Sequence, residues 1–163
     1  MHSITLLMIL NMSFGIKSVA QISYPIDVAG IRLYSTLTEE RVVEIFGTPD
    51  DHYVSDDGSL VGFVETYFYG KNSLSFVNGK LNGFDVHDDN WVVMSECFEN
   101  GLRVGMPLSI ITKDTRYRLL PHNRLKDTYW ILDDPLPENV PDAYIMITVS
   151  EGKIVTISYN ELN

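Results

Sequence analysis

The sequence predicts an α+β fold: a tandem duplication of a helix plus a three-stranded antiparallel sheet, with the helices packed on one face of the sheet. Three observations lead to this prediction. A capped amphipathic helix lies in the N-terminal half, a series of β-branched and aromatic segments follows it, and the same order of signals returns in the C-terminal half. A single unit would leave the face and edges of its sheet exposed, whereas two units can share one larger sheet.

The composition is that of a globular chain and argues against one class of partner. Of the 163 residues, 45% are hydrophobic and 21% are charged, which is typical of a folded protein. Acidic residues outnumber lysine and arginine by 22 to 12, whereas binding to a phosphate backbone requires clustered cations. We therefore expect no nucleic-acid partner.

The N-terminal segment predicts export. Residues 4–16 form an uncharged apolar run, too short for a comfortable membrane span but suited to the apolar region of a signal peptide. Ser18 and Ala20 then place small residues at the two positions that a signal peptidase reads. Residues 1–20 are accordingly predicted to be a signal peptide that is cleaved before Gln21. The mature protein is expected to be periplasmic or secreted and not membrane-spanning.

The alternative for this segment is a buried first helix or strand. No lysine or arginine precedes the apolar run, which is atypical of a signal peptide. Asn11, Ser13 and Gly15 would suit a buried element poorly, and this favours the signal peptide.

The first repeat is predicted over residues 21–90 and begins with the helix. Thr36 and Glu39 have the spacing of a capping box, in which the threonine hydroxyl accepts from the Glu39 N–H and the glutamate reaches back. Gly47 and Pro49 end the helix, because glycine tolerates a positive φ and proline cannot continue the hydrogen-bond ladder.

Three strands follow this helix. Residues 60–69 are β-branched and aromatic, and Leu74 and Phe76 then alternate with serines as in a half-buried strand. Asn78-Gly79 predicts a hairpin turn into the third strand, since both residues accept the positive φ of a two-residue loop.

The second repeat is predicted over residues 91–163. The segment Asp-Thr-Tyr-Trp that ends at Trp130 parallels the segment Glu-Thr-Tyr-Phe that ends at Phe68. The turn at Glu151-Gly152 likewise parallels the Asn-Gly turn of the first repeat. Chance similarity between generic strands is the alternative.

Two further segments complete this half. Residues 91–98 are apolar enough for a buried strand that links the repeats. Residues 133–142 form an insertion with three prolines, which preclude a central strand and predict a semi-rigid exposed loop.

These motifs resemble those of a known group, whose pattern is an apolar residue, a Gly-Met pair, a capped helix with a central valine and a closing Gly-x-Pro. The matches in the first half are Leu33, Thr38, Val42, Gly47 and Pro49. The matches in the second half are Val104, Gly105, Met106 and Ser109. With the tandem order of elements, residues 31–160 resemble the β-lactamase inhibitor protein and the related SmpA/OmlA outer-membrane-assembly lipoproteins.

The resemblance implies a protein-binding scaffold outside the cytoplasm. Two departures prevent the partners of that group from being transferred to this chain. The SmpA/OmlA proteins carry a lipid anchor on a cysteine, and no cysteine stands at the predicted cleavage site. The inhibitor has disulfides, whereas this chain has a single cysteine, Cys97.

Sequence motifs of catalysis are absent. There is no Gly-x-Ser-x-Gly elbow, phosphate-cradling glycine loop or Cys-x-x-Cys pair. Cys97 and one of His52, His87 and His122 could form a nucleophile and base, but no spacing indicates that they meet. We predict that the protein is not an enzyme and binds no cofactor.

Two acidic clusters invite a metal-site interpretation. Residues 50–57 and 85–90 contain several carboxylates, the ligand type that Ca²⁺ prefers. Neither cluster has the spacing of an EF-hand, and Asp and Asn also hydrogen-bond their own backbone in turns. We predict turn chemistry and no metal site, with a weak divalent site as the alternative.

Strand alternation predicts a binding face. Phe68 and Trp130 lie on one face of their strands, and Tyr67, Tyr69 and Tyr129 on the opposite face. If the helices cover the face with phenylalanine and tryptophan, the three tyrosines are exposed. Because tyrosine is enriched at interfaces, we predict that these tyrosines bind a partner. Scattered exposed tyrosines without a role are the alternative.

Leu136 in the Pro-rich loop completes the predicted binding surface. The predicted function is that of an exported protein-interaction module, which binds its partner through the sheet face and loops. The alternative is a small hydrolase or divalent-metal-dependent enzyme that uses the Asp and His loops.

Overall fold

The computed structural model describes residues 26–56, 62–95, 98–114, 116–133 and 143–161. The helices are α1 (Glu39–Phe46) and α2 (Ser109–Thr112). The strands of the N-terminal half are β1 (Ile26–Val28), β2 (Ile31–Arg32), β3 (Asp51–Asp56), β4 (Phe63–Tyr69), β5 (Asn72–Val77) and β6 (Lys80–Val86). The strands of the C-terminal half are β7 (Val93–Ser95), β8 (Phe98–Leu102), β9 (Tyr117–Pro121), β10 (Thr128–Asp133), β11 (Ala143–Ser150) and β12 (Lys153–Glu161).

These strands form two antiparallel sheets. The large sheet has eight strands in the order β3-β4-β5-β6-β12-β11-β10-β9, so that β6 and β12 join its two halves at the centre. The small sheet has four strands in the order β2-β1-β7-β8. Strands β3 and β9 therefore lie at the two edges of the large sheet.

The predicted α+β fold, with helices covering a tandem of three-stranded units, is wrong. The described residues are mostly β, and each half supplies four strands to the large sheet. The additional strands are the edges β3 and β9. An edge strand tolerates charged side chains, and β3 contains Asp51 and Asp56, which the sequence prediction assigned to acidic loops. The helices are short and contribute mainly Val42 and Ile111 to the core.

The first helix begins later than the sequence predicts. Thr38, not Thr36, is the N-cap, and its Oγ1 accepts a hydrogen bond of 3.3 Å from the Arg41 N–H. Thr36 instead forms a β-bridge with Lys80. The predicted end is confirmed, since the helix stops before Gly47, whose φ is +83°.

The predicted hairpin turns are confirmed. Asn78 and Gly79 have φ of +50° and +74° between β5 and β6, which is the geometry that favours Asn-Gly in two-residue loops. Glu151 and Gly152 have φ of +50° and +73° between β11 and β12. Each turn also accepts a 2.9 Å backbone hydrogen bond, from the Leu37 N–H to Gly79 and from the Leu108 N–H to Gly152.

One face of the large sheet, here called the core face, carries the hydrophobic core. A continuous row of paired residues crosses all eight strands on this face: His52, Tyr67, Leu74, Phe84, Tyr159, Ile145, Ile131 and Leu119. Every described residue of the large sheet that belongs to the buried core cluster lies on it. The small sheet completes this core with Ile26, Val28, Val93 and Leu102.

Two β-bulges keep the apolar residues on this face. Leu81 and Phe84 in β6 are three residues apart, as are Ile154 and Ile157 in β12, whereas strict alternation would put each pair on opposite faces. A register shift beside each pair absorbs the extra residue. As a result, all four side chains are buried in the core.

Three predictions fall outside the described residues. These are the signal peptide at residues 1–20, residues 134–142 of the Pro-rich loop, and the environment of Cys97. Among the helices that the structure describes, none is long and apolar enough to cross a membrane.

Candidate functional site

The opposite face of the large sheet, here called the open face, contributes no described residue to the core cluster. Its central row of paired residues also crosses all eight strands: Asp51, Phe68, Ser73, Asp85, Ser158, Met146, Trp130 and Leu120. This row runs between the two edges beside the core row, one residue along each strand.

Large apolar side chains lie at both sides of this face. The β3–β4 side carries Tyr53, which is 61% exposed, and Phe68, which is 36% exposed. The β9–β10 side carries Leu120, which is 38% exposed, and the half-buried Trp130. The open face is therefore apolar and aromatic at both sides.

Between these two groups the central row contains Ser73, Ser158 and the half-buried Asp85 and Met146. Ser73 on β5 and Ser158 on β12 are buried, because short side chains in the middle of a wide sheet are shielded by their taller neighbours. Thr66 and Ser75 hydrogen-bond across β4 and β5 at 3.2 Å, and Thr128 and Thr148 do so across β10 and β11 at the same distance. The strip between the two groups, here called the trough, is therefore rich in hydroxyls and also contains Asp85 and Met146.

The predicted exposure of the tyrosines is wrong at Tyr67. This residue is only 2% exposed, and its ring meets Phe76 edge-on at 5.6 Å between centroids. Its hydroxyl donates a 2.9 Å hydrogen bond to Glu65 Oε2. Burial, followed by this hydrogen bond, raises the pKa of Tyr67, because both favour the neutral phenol.

The other two predicted tyrosines are half-buried. Tyr69 is half-buried, with its ring 5.4 Å from that of Phe46 and 5.9 Å from that of Trp91, and burial raises its pKa. Tyr129 is half-buried against the core. Leu136 lies outside the described residues.

The register of the β4–β5 hairpin explains this reversal. Tyr67 pairs with Leu74, and Phe68 pairs with Ser73. The short turn at residues 70–71 was a signal for this register, and it would have placed the tyrosine beside leucine and the phenylalanine beside serine. The sequence prediction weighed the polarity of each ring instead of the side chains with which each ring shares a face.

The histidines do not converge within the described residues. His52 on β3 stacks on Tyr67 with ring centroids 4.3 Å apart, and its Nε2 is 4.0 Å from Glu65 Oε2. His87 follows β6, and His122 follows β9. No cluster of three His, Cys, Asp or Glu side chains suited to a metal occurs in the part of the chain that the structure describes.

Asp88 and His122 hydrogen-bond to the loops in which they lie. Asp88 Oδ1 accepts hydrogen bonds of 2.9 Å from Asn72 Nδ2 and 3.0 Å from the Asn90 N–H. Burial acts to raise the pKa of Asp88, but these hydrogen bonds hold it below its usual value. His122 Nδ1 accepts from the backbone N–H groups of Arg124 and Leu125. Asp88 thus has the contacts of the predicted turn chemistry.

Comparison with known proteins identifies no relative: no protein-family model, curated protein or solved structure matches this chain.

Proposed function

We propose that the protein is an exported, non-enzymatic interaction module that binds a protein partner in the trough of its open face. The observation that carries this proposal is the distribution of side chains on that face. Aromatic and aliphatic residues lie on both sides of a strip that is polar except for Met146, on a sheet whose opposite face holds the core.

The physical chemistry of interfaces favours this site. Large rings such as those of Phe68 and Trp130 bury much apolar area with few rotatable bonds, and residues of this kind dominate measured hot spots. The hydroxyls between them can donate or accept, so a partner's polar groups can remain hydrogen-bonded on docking. The trough is built on strands, and little ordering entropy is lost on binding.

Other features agree with this class of function. The excess of acidic residues disfavours nucleic acid, and the described histidines and acids do not converge as the hydrolase or metal-enzyme alternative requires. The N-terminal segment supports export. The resemblance to the β-lactamase inhibitor group implies a protein partner as well.

Site-directed photo-cross-linking tests the face. A benzophenone amino acid replaces Phe68 on the open face in one variant and Val54 in the other. Val54 is 51% exposed but points to the core-face side of the same edge. In the exporting host, we expect a cross-linked partner from position 68 and none from position 54.

Alanine variants then test the energetics. Phe68→Ala and Trp130→Ala should each weaken capture of the cross-linked partner by roughly tenfold or more, the effect of losing about 1.4 kcal/mol or more at a hot spot. Phe63→Ala serves as the control, since Phe63 is 58% exposed but lies on the other face of β4. Equal cross-linking from positions 54 and 68, or none from 68, would refute the proposal.

A further inference from the structure

The two edges of the large sheet carry opposite charge. Residues 50–69, which include β3 and β4, contain five acids and no lysine or arginine. Residues 113–127, which are β9 with the segment before it and the loop after it, contain five bases and two acids, Asp114 and Asp127. In a chain of net charge −10, this segregation gives the sheet an acidic edge at β3 and a basic edge at β9.

Two ion pairs within the basic segment reduce its charge without cancelling it. Asp114 accepts a 2.7 Å hydrogen bond from Arg116 Nη2, and its hydrogen bonds with Arg116 lower the pKa of Asp114 to about 2. Asp114 and Arg116 therefore neutralise each other, and Lys126 Nζ likewise lies 3.9 Å from Asp127 Oδ2. Five bases against two acids leave the segment with a net positive charge. Arg118 on β9 is exposed, as is Asp51 on β3.

Both edges have backbone groups suited to pairing. Among the described strands, β3 pairs only with β4, and β9 pairs only with β10. An edge strand presents N–H and C=O groups that can pair with another chain. On the open face, β3 presents Asp51 and the 61% exposed Tyr53, which are two residues apart. On the same face, β9 presents Arg118 and the 38% exposed Leu120.

Direction and charge select one way of joining two copies. All neighbouring strands are antiparallel, so the two edges of an eight-stranded sheet run in opposite directions. A β3 edge placed beside a β9 edge therefore continues the antiparallel alternation. Two β3 edges would join two acidic segments, and two β9 edges would join two basic segments, both of which like-charge repulsion disfavours.

We propose that the β9 edge of one molecule pairs with the β3 edge of a second copy, which extends the large sheet from molecule to molecule in a head-to-tail array. The contact is heterologous, so each added copy again presents one free acidic edge and one free basic edge. The array also joins the open faces of successive copies into one surface.

Sedimentation velocity on the purified protein tests this association. Screening weakens as salt falls, with a Debye length of about 3 Å at 1 M and about 30 Å at 0.01 M. At low salt we expect species larger than the monomer, whose share increases with protein concentration. At 1 M salt we expect these species to dissociate. A single monomeric species at every salt and protein concentration would overturn the proposal.

Charge reversal identifies the two edges. Asp51→Lys and Arg118→Glu should each weaken self-association by at least about tenfold, because each creates a like-charge contact. Mixing the two variants should restore association, since the acidic β3 of one then meets the basic β9 of the other. Variants that are merely misfolded cannot complement each other in this way.

The control is Lys153→Glu, which makes the same charge change as Arg118→Glu but lies on the central strand β12. It should associate like the wild type, and an equal loss would show a general charge effect and refute the edge contact. If circular dichroism shows that Arg118→Glu does not fold, Arg124→Glu replaces it, since Arg124 is exposed in the loop that follows β9. Cross-linking at position 68 tests partner binding at the trough, and sedimentation tests self-association through the edges. A negative result in one experiment therefore does not affect the other proposal.

Discussion

The two faces of the large sheet are formed by the same eight strands, yet they differ in burial: one carries the hydrophobic core and the other does not. The core face buries Tyr67, Leu74, Phe84 and Tyr159 in one row. The neighbouring row on the open face has Phe68 exposed and serines at its centre. The comparison shows that the burial of a side chain depends more on its cross-strand neighbours than on its own polarity.

Hydrogen bonds offset the cost of burying the tyrosine hydroxyls in the core. A buried hydroxyl without a partner costs about 1–3 kcal/mol. The Tyr67 hydroxyl bonds to Glu65 at 2.9 Å, and those of Tyr34 and Tyr159 lie 2.7 Å apart. With these partners, each tyrosine contributes the burial of its ring at little polar cost.

The largest contrast should come from adjacent residues on opposite faces. Phe84→Ala removes a ring that is 1% exposed, and we expect a loss of about 3–5 kcal/mol of unfolding free energy. Asp85→Ala, one residue along β6 on the open face, should cost less than about 1 kcal/mol. Urea unfolding of both variants measures the difference. Similar losses of unfolding free energy would contradict the difference in burial between the two faces.

A second pair tests the reversal found on β4. Tyr67→Ala should destabilise the protein by about 3 kcal/mol or more, because it leaves a cavity beside Phe76 and Leu74. Phe68→Ala should cost about 1 kcal/mol or less, since its ring is partly in water. Thermal and urea unfolding should therefore rank the tyrosine change as the more severe one. The reverse ranking would contradict the assignment of the two faces.

The smallest effect concerns the Tyr67 hydroxyl alone. Tyr67→Phe should cost about 1 kcal/mol at neutral pH, the value of one hydrogen bond. The folded-state pKa of Tyr67 is raised, so its contribution to stability is complete below the ordinary tyrosine pKa of about 10 and decreases as pH rises above it.

We therefore expect the unfolding free energy of the wild type to fall above about pH 10 more steeply than that of Tyr67→Phe. Tyr69 is present in both proteins, so the difference between the two curves isolates Tyr67. Parallel curves from urea unfolding at pH 8 to 11 would show that the hydroxyl has no differential protonation.

Local signals in the sequence predicted a substantial part of the fold. The end of α1 at Gly47 and the turns at Asn78-Gly79 and Glu151-Gly152 were all found, because each depends on a positive φ that few residues adopt. The alternation within β4 and β10 was also found. The edges β3 and β9 were missed, since an edge needs no continuous apolar pattern to be a strand.

Local sequence was sufficient to predict the turns at Asn78-Gly79 and Glu151-Gly152, the end of α1 at Gly47, and which residues of β4 and β10 share a face. These properties follow from backbone sterics and from the two-residue period of a strand. Only the tertiary structure decided which face is buried, because that choice depends on pairings such as Tyr67 with Leu74 and Phe84 with Tyr159. The β6–β12 pairing joins residues far apart in the chain and brings the apolar sides of both halves onto one face, which leaves Phe68 and Trp130 on the other.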